Sequence, residues 1–390
     1  VSEVVTKVAV AAVPKAEAVS AQVAVAAARR RAMSPSPPCT RASLRGASRG
    51  FSLIELMVAM AIGVVTVVAA LQMLATSREA YRVNERVARL QEQARTAFAV
   101  IEPDIELAGF YGFTQSAETV RLIRGGDRNA VAASAAALRQ FPLLPGGALP
   151  VAVSGLPPGA HACGVNFGID VSMPVQGSNN TFALGRSPTS SCNAYQGRAQ
   201  AGADTLTARR VATQRAVAEA NRLQIYAVRD TSLSAQFMFT DGNAPGPSDD
   251  DHQVHDLVVR TYYVARDSVG RRDAPALRVK SLTRSGTGLI FNDEEVMTGV
   301  EDLQVQFGVS ADRSGRVSHY VDPGSPELPA VQVVSVRVWL RVRADESEPS
   351  FIDTQTYAYA DVEFTPSGTE RHFRRVLMSR TITLRNARSI

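Results

Sequence analysis

The 390-residue sequence is poor in the residues that metal sites and active sites are built from. It has three cysteines, Cys39, Cys163 and Cys192, and five histidines. No CxxC pair occurs, so a zinc ribbon or a thioredoxin-type centre is not indicated. No GxSxG, HExxH, P-loop or Rossmann glycine run is present. A triad assembled in space from distant Ser, His and Asp leaves no such motif, but nothing positive supports catalysis, and no enzyme is expected. Aromatic residues make up 6% of the chain, with one tryptophan. They are not interleaved with basic residues in the way single-strand nucleic-acid binders require. Internal repeats are also lacking.

Net basic charge is confined to the front end. The formal net charge is +5, yet residues 1–50 hold 8 Lys/Arg against 2 Asp/Glu, leaving the remainder at 34 against 35. No nucleic-acid partner is therefore expected. Residues 1–32 are Ala/Val-rich and read as upstream, untranslated sequence included by a start-site choice. Met33 then opens a shorter basic, Pro-rich leader, MSPSPPCTRASLRGASRG. This leader has no apolar core and no A-x-A site, unlike an ordinary secretory signal. If Cys39 leaves with residues 1–50, Cys163 and Cys192 can pair, as suits an oxidising compartment.

Charge is almost missing from residues 51–75, FSLIELMVAMAIGVVTVVAALQMLA, where Glu55 is the one charged residue. About 20 apolar residues span a bilayer as a helix, and this run is apolar on every face. A buried core helix is the alternative. Arg41, Arg45 and Arg49 precede it, so the positive-inside rule holds the N-terminus in the cytoplasm. A carboxylate at membrane depth is costly and usually has a function and a partner. Cleavage between Gly50 and Phe51 would create an α-amino group at Phe51, and that cation on a neighbouring copy is a candidate partner for Glu55.

The helical pattern continues beyond the apolar run. Val83, Val87, Leu90, Ala94, Phe98, Ile101 and Ile105 recur at steps of three and four, predicting an amphipathic helix over 76–109 whose stripe needs a surface. Pro103 is expected to kink or interrupt it and Gly109 to end it. The whole element would be on the order of 80 Å long if straight. Residues 125–160 read as Gly/Ala/Pro-rich loop. Strands are predicted at 205–211, 222–228, 256–265, 277–284, 302–309, 333–343 and 374–386. In 333–343, Val334, Val336, Val338, Leu340 and Val342 face one way, while Ser335, Arg337, Trp339, Arg341 and Arg343 face the other. The expected fold is α+β: a long N-terminal helix packed on an antiparallel sheet with one solvated face.

The stretch GFSLIELMVAMAIG (50–63) resembles the type IV prepilin signature: Gly at −1, a Phe at +1, Glu at +5, then an apolar helix. Further patches resemble the PilW family of minor pilins: 77–112, GADTLTARR (202–210), VEDLQVQFGV (300–309), 333–343 and 374–386. The resemblance implies a pilin-like fold and a leader, 1–50, removed by a prepilin peptidase. It implies cleavage at Gly50–Phe51, N-methylation of Phe51 and a subunit-docking role for Glu55. It also implies a transmembrane half at 51–75, an amphipathic half at 76–109 and a periplasmic β-rich domain at 110–390. Implied partners are other minor pilins, the major pilin and the inner-membrane assembly platform, with the assembled fibre at the cell surface. A minor pseudopilin of a type II secretion system and a pilus-tip adhesin are the alternatives.

One departure is that Phe113 stands where the family often carries a cysteine, so the bridge would have to be Cys163–Cys192. Closing a loop of that size contributes about 3–4 kcal/mol in the chain-entropy account; two separate buried thiols are the alternative. No cofactor is expected. DGNAPGPSDDDH (241–252) begins like a calcium loop, with Asp241, Asn243, Asp249 and Asp251 as candidate ligands. Pro245 stands where a ligand belongs and His252 replaces the closing Glu, so a solvated acidic turn is preferred. His252 and His255 lead into a strand, where positions three apart face opposite ways.

Overall fold

The computed structural model describes residues 50, 52–113, 120–124, 127–134, 156–185, 188–229, 236–286, 288–328 and 330–387. The chain divides into two compact units, with the boundary between Glu85 and Arg86. Helix α1, Leu53–Glu106, contributes residues to both. Its first part, 53–85, is exposed along its length. Its most apolar window has a mean hydropathy of 2.4 and none of it is buried.

The second unit begins with the rest of α1. Here most of the stripe expected from the sequence is buried: Leu90, Ala94, Phe98, Ile101 and Ile105 are each at most 2% exposed, Ala97 joins them, and Val87 is only half-buried. Pro103 does not interrupt the helix, which continues to Glu106. It lacks the N–H that would reach the Ala99 carbonyl, and the buried Ile101 and Ile105 on either side hold the helix through that lost bond. Gly109 follows with φ +80° and closes the C-terminus in the left-handed conformation that glycine adopts freely.

Two main sheets and a two-stranded ribbon, rather than one sheet, receive this unit's described strands. The larger has nine strands. They are β1 (Val120–Arg124), β2 (Asp127–Ser134), β3 (Val175–Ser178), β4 (Thr205–Val211), β5 (Ala220–Val228), β6 (Gln236–Asp241), β7 (His252–Ala265), β8 (Ala276–Ser285) and β9 (Gly288–Thr298). Its main path runs β2-β1-β6-β5-β7-β4-β3, and β7 also pairs β8, which pairs β9. All pairs are antiparallel except β1 with β6, which is parallel. Strand β2 lies inside the stretch expected to be loop, so that expectation fails for 127–134. Residues 135–155 lie outside the described residues.

The second sheet comprises β10 (Val300–Ser310), β11 (His319–Val321), β12 (Gln332–Arg343) and β15 (Arg375–Thr383), in the order β11-β10-β12-β15 and fully antiparallel. The alternation in β12 holds: Val334, Val336, Val338, Leu340 and Val342 are all buried. Val336, Val338, Leu340 and Val342 join the α1 stripe, Leu303, Val305 and Phe307 of β10, and Leu206, Tyr262 and Leu277 of the larger sheet in one core. Burying a side chain of this size contributes about 1.5–3 kcal/mol. The opposite face is not wholly solvated. The ribbon β13 (Tyr357–Tyr359) with β14 (Val362–Phe364) lies in a segment, 344–374, held by buried charges. Glu301 accepts from Arg341 Nε and Arg375 Nε at 2.6 Å each. Glu348 pairs with Arg374 at 2.9 Å and with Arg86 of the helix at 2.8 Å.

Directional bonds fix where α1 lies on the core. Asp104 is 1% exposed. Its Oδ1 accepts from Arg210 of β4 at 2.7 and 2.9 Å, and Arg260 of β7 reaches Oδ2 at 3.2 Å. The Tyr262 hydroxyl is 2.6 Å from Oδ2. Burial, and then the Asp104 carboxylate, hold that hydroxyl protonated far above the usual tyrosine range. Glu102 pairs with Arg380 of β15, and Glu106 with Arg385 at 2.6 Å.

Asp204 joins the two sheets. Its N–H donates to the Leu303 carbonyl at 2.8 Å. Its carboxylate accepts from the backbone of Asn180 at 2.7 Å and of Val305 at 2.8 Å. Burial pushes this carboxyl up to about 7, against the pull of those two bonds and helped by Asp361 and Asp302. A raised carboxyl pKa favours the fold while the group is protonated, and that contribution is lost as pH rises from about 4 to about 7. Asp204→Asn removes the titration. In denaturant unfolding, the stability of the wild type should fall relative to Asp204→Asn by a few kcal/mol across that window. A constant difference between the two would contradict this.

Candidate functional site

The start of α1 carries the residues that the sequence singles out. Gly50 is exposed, with nothing within 4 Å of where a side chain would begin. Phe51 lies outside the described residues. Ser52 precedes the first helical residue, and it and Glu55 bond reciprocally. The Ser52 N–H donates to Glu55 Oε2 at 3.0 Å, and the Glu55 N–H donates to Ser52 Oγ at 3.2 Å. This is a capping box, which satisfies two of the N–H groups that a helix start leaves without partners. Glu55 thus has a partner in its own chain. Ser52 was legible as part of it: S-x-x-E directly before an apolar run is the signal, and the search for an acid's partner across helices passes over it.

The rest of the run follows the same economy. The Thr66 hydroxyl donates to the Gly63 carbonyl at 2.8 Å and the Thr76 hydroxyl to the Gln72 carbonyl at 3.0 Å. Hydroxyls bonded back to their own helix suit a surrounding without water. Leu53, Ile54, Met57, Met60, Val65 and Met73 are each more than 60% exposed. One helix long and apolar enough to cross a membrane, together with the signal before it, suggests membrane anchoring.

The other sequence candidates are scattered. Cys163 and Cys192 are disulfide-bonded, with Cα atoms 5.0 Å apart, and both are buried. The loop between them has a second tie. Arg209, fully buried, donates to the carbonyls of Phe167 and Met173 and to Gln176 Oε1. Burial lowers its pKa, while Asp170 and Tyr111 raise it.

In the acidic turn, Asp249 Oδ1 accepts from the backbone of Asp251 and His252 and lies 2.8 Å from His252 Nδ1. These bonds, the His252 side chain first, hold its carboxyl below the usual range. Asp250 pairs with Arg215, Asp251 with Arg229, and Asp241 Oδ1 accepts from the Asn243 backbone. Three of the four calcium candidates thus have their carboxylates engaged, Asp251 by an arginine, Asp249 by a histidine and the backbone, and Asp241 by the backbone N–H of the fourth, Asn243. His255 Nδ1 is 2.9 Å from the Ala212 carbonyl and Nε2 is 3.1 Å from Gln253 Oε1. Among the described residues, no group of three or more His, Cys, Asp or Glu is placed to hold a metal ion.

The capping box predicts a local effect. Ser52→Ala removes one of its bonds, at a cost of about 1 kcal/mol to the first turn. Amide exchange at residues 53–56 of the full chain in detergent micelles should quicken roughly fivefold, with Ser52→Thr close to wild type. Equal rates for Ser52→Ala and wild type would contradict the cap.

Two family matches fall at the two ends of this architecture. Residues 45–71 match the prokaryotic N-terminal methylation motif, covering Gly50, Ser52, Glu55 and the apolar part of α1. Residues 261–386 match Type IV Pilus-assembly protein W, from within β7 through β15. No curated protein and no solved structure matches the chain. Over these residues the chain matches a PilW-family, prepilin-type pilin.

Proposed function

We propose that this protein is a minor pilin that takes part in initiating type IV pilus assembly. The leader 1–50 is removed by a prepilin peptidase between Gly50 and Phe51, and Phe51 is N-methylated. Residues 51–75 anchor the chain in the inner membrane. Residues 76–109 complete the helix, and 110–390 form the domain on the periplasmic side. Its partners are other minor pilins, the major pilin and the assembly platform. Its work is mechanical, as suits a family of structural proteins.

The observation that carries this reading is a coincidence of three features: an exposed glycine, a capped helix start two residues later, and a long apolar helix with one carboxylate at its first turn. A cap placed there keeps the helix from growing back over residues 50 and 51, which leaves the scissile bond outside the helix. The same geometry supports a docking role for Glu55. Among the described hydrogen bonds only its Oε2 is engaged, and within the chain. Its Oε1 is left to take the Phe51 ammonium of a neighbouring helix.

The test is the N-terminal residue of the mature protein, read by mass spectrometry from membrane and sheared-fibre fractions. N-methyl-Phe51 is expected. An intact Arg49–Gly50–Phe51 junction in functional protein would overturn the proposal. Deletion should abolish surface pili; lost secretion of enzymes with pili intact would instead assign the chain to a type II secretion system.

A further inference from the structure

The outer face of the β11-β10-β12-β15 sheet carries an arginine unlike the others on it. Strands β12 and β15 hold five arginines between them. Four pair with carboxylates: on the outer face Arg341 with Glu301, and Arg343 and Arg375 with Glu370, and on the helix-facing side Arg380, opposite the inward Val338, with Glu102. Arg337 has no carboxylate within ion-pair distance among the described residues. Its guanidinium instead stacks on Tyr320 of β11, 3.8 Å from the ring centroid, with the Trp339 ring at 5.7 Å. Its Nε makes a long contact, 3.4 Å, to Thr381 Oγ1 of β15.

The neighbouring backbone is shaped to allow this stacking. Gly308 of β10 pairs with Tyr320 on one side and Ser335 on the other. A Cβ there would stand 2.2 Å from Ser335 Oγ and 3.0 Å from the Tyr320 ring, so only glycine lets the tyrosine lie down toward Arg337. Ser335 lies two residues before Arg337 on the same face. Its hydroxyl is buried and has no hydrogen-bond partner among the described residues. Buried polar groups are rarely left this way. An arginine stacked on aromatic rings keeps its planar fork fixed and is weakly hydrated, the arrangement that favours bidentate pairing with a carboxylate.

We propose that the Tyr320–Arg337–Trp339 face is a docking surface for a carboxylate side chain of a neighbouring pilus protein, with Arg337 as its anchor. Charge complementarity selects this occupant. The face offers one uncompensated, half-buried cation in an aromatic frame, whereas the sheet's other arginines are already neutralised. The identity of the neighbour as a pilus protein rests on the proposed function; the carboxylate chemistry does not.

Trp339 is the only tryptophan in the chain, so its fluorescence reports directly on this face. The full chain in detergent micelles is titrated with a capped tri-glutamate peptide, the tri-glutamine peptide and polygalacturonate. Tri-glutamate should change the emission saturably and less strongly as salt rises. Tri-glutamine on the wild type, and tri-glutamate on Arg337→Gln, should bind at least tenfold more weakly. Arg337→Lys, which keeps the charge and loses the fork, should lie between. Equal responses to the two peptides, or no loss in Arg337→Gln, would overturn the proposal. Saturation by polygalacturonate alone would also overturn it, in favour of an acidic carbohydrate.

If Arg337→Gln does not fold, the salt dependence and the two-peptide comparison on wild type still decide. In cells, Arg337→Glu should leave Phe51 processing intact while surface pili fall, and unchanged piliation would count against the docking role. Loss of processing in the wild type itself would instead strike the pilin reading, so the two failures are distinguishable.

Discussion

Asp104 is the constraint on which the arrangement of this protein depends. An apolar stripe such as Leu90, Ala94, Phe98 and Ile101 can be buried against a valine-rich sheet in several rotations and offsets, because the hydrophobic effect has no direction. A carboxylate held from three sides has one solution. Arg210 comes from β4, and Arg260 and Tyr262 come from β7. Only one placement of the last turns of α1 satisfies all three. A buried ion pair need not add net stability, but removing Asp104 leaves the largely buried Arg210 and the buried Tyr262 without compensation, a loss of about 3 kcal/mol, while the more exposed Arg260 can turn to water. The pairs Glu102–Arg380 and Glu106–Arg385 repeat the logic toward the C-terminal strand. Arg86–Glu348 extends it to the segment that covers the sheet's outer face.

What could be read from the sequence follows from which forces act locally. The stripe on α1 and the alternation of β12 are periodic in single residues, and both were plain. Strand β9 was not, because its centre reads Asn-Asp-Glu-Glu, which looks like a turn. In the sheet those acids face the basic positions of β8. Arg278 pairs with Asp293 at 2.7 Å and Glu295 at 3.2 Å, and Lys280 with Asp293 at 2.8 Å. A strand stabilised by cross-strand charge is legible only once its partner is known. The division into two sheets was hidden for the same reason. Pro103 misled in the opposite direction, since the burial of Ile101 and Ile105 and the bonds to Asp104 hold the helix through it.

The site divides along the same line. Gly50, Phe51 and Glu55 stand out by position alone, because an acid in a long apolar run is conspicuous. The use of Ser52 as the cap is equally local and could have been found by spacing. Arg337 could not. On the sequence it is one of three arginines in a strand, and its distinction is the absence of a carboxylate that the other two possess. Glu55 and Arg337 are both charges held in apolar frames, at opposite ends of the chain. In the proposed assembly each contributes half of a contact that a neighbour completes.

Native-state hydrogen exchange on the full chain in micelles, comparing wild type with Asp104→Ala, tests the central claim most directly. In the wild type the amides of residues 98–106 should open only together with those of β12, at the free energy of global unfolding. In Asp104→Ala the same helical residues should open about 3 kcal/mol or more below β12. If the helix still opens together with β12 in the variant, Asp104 does not set the union of helix and sheet, and apolar packing alone is sufficient.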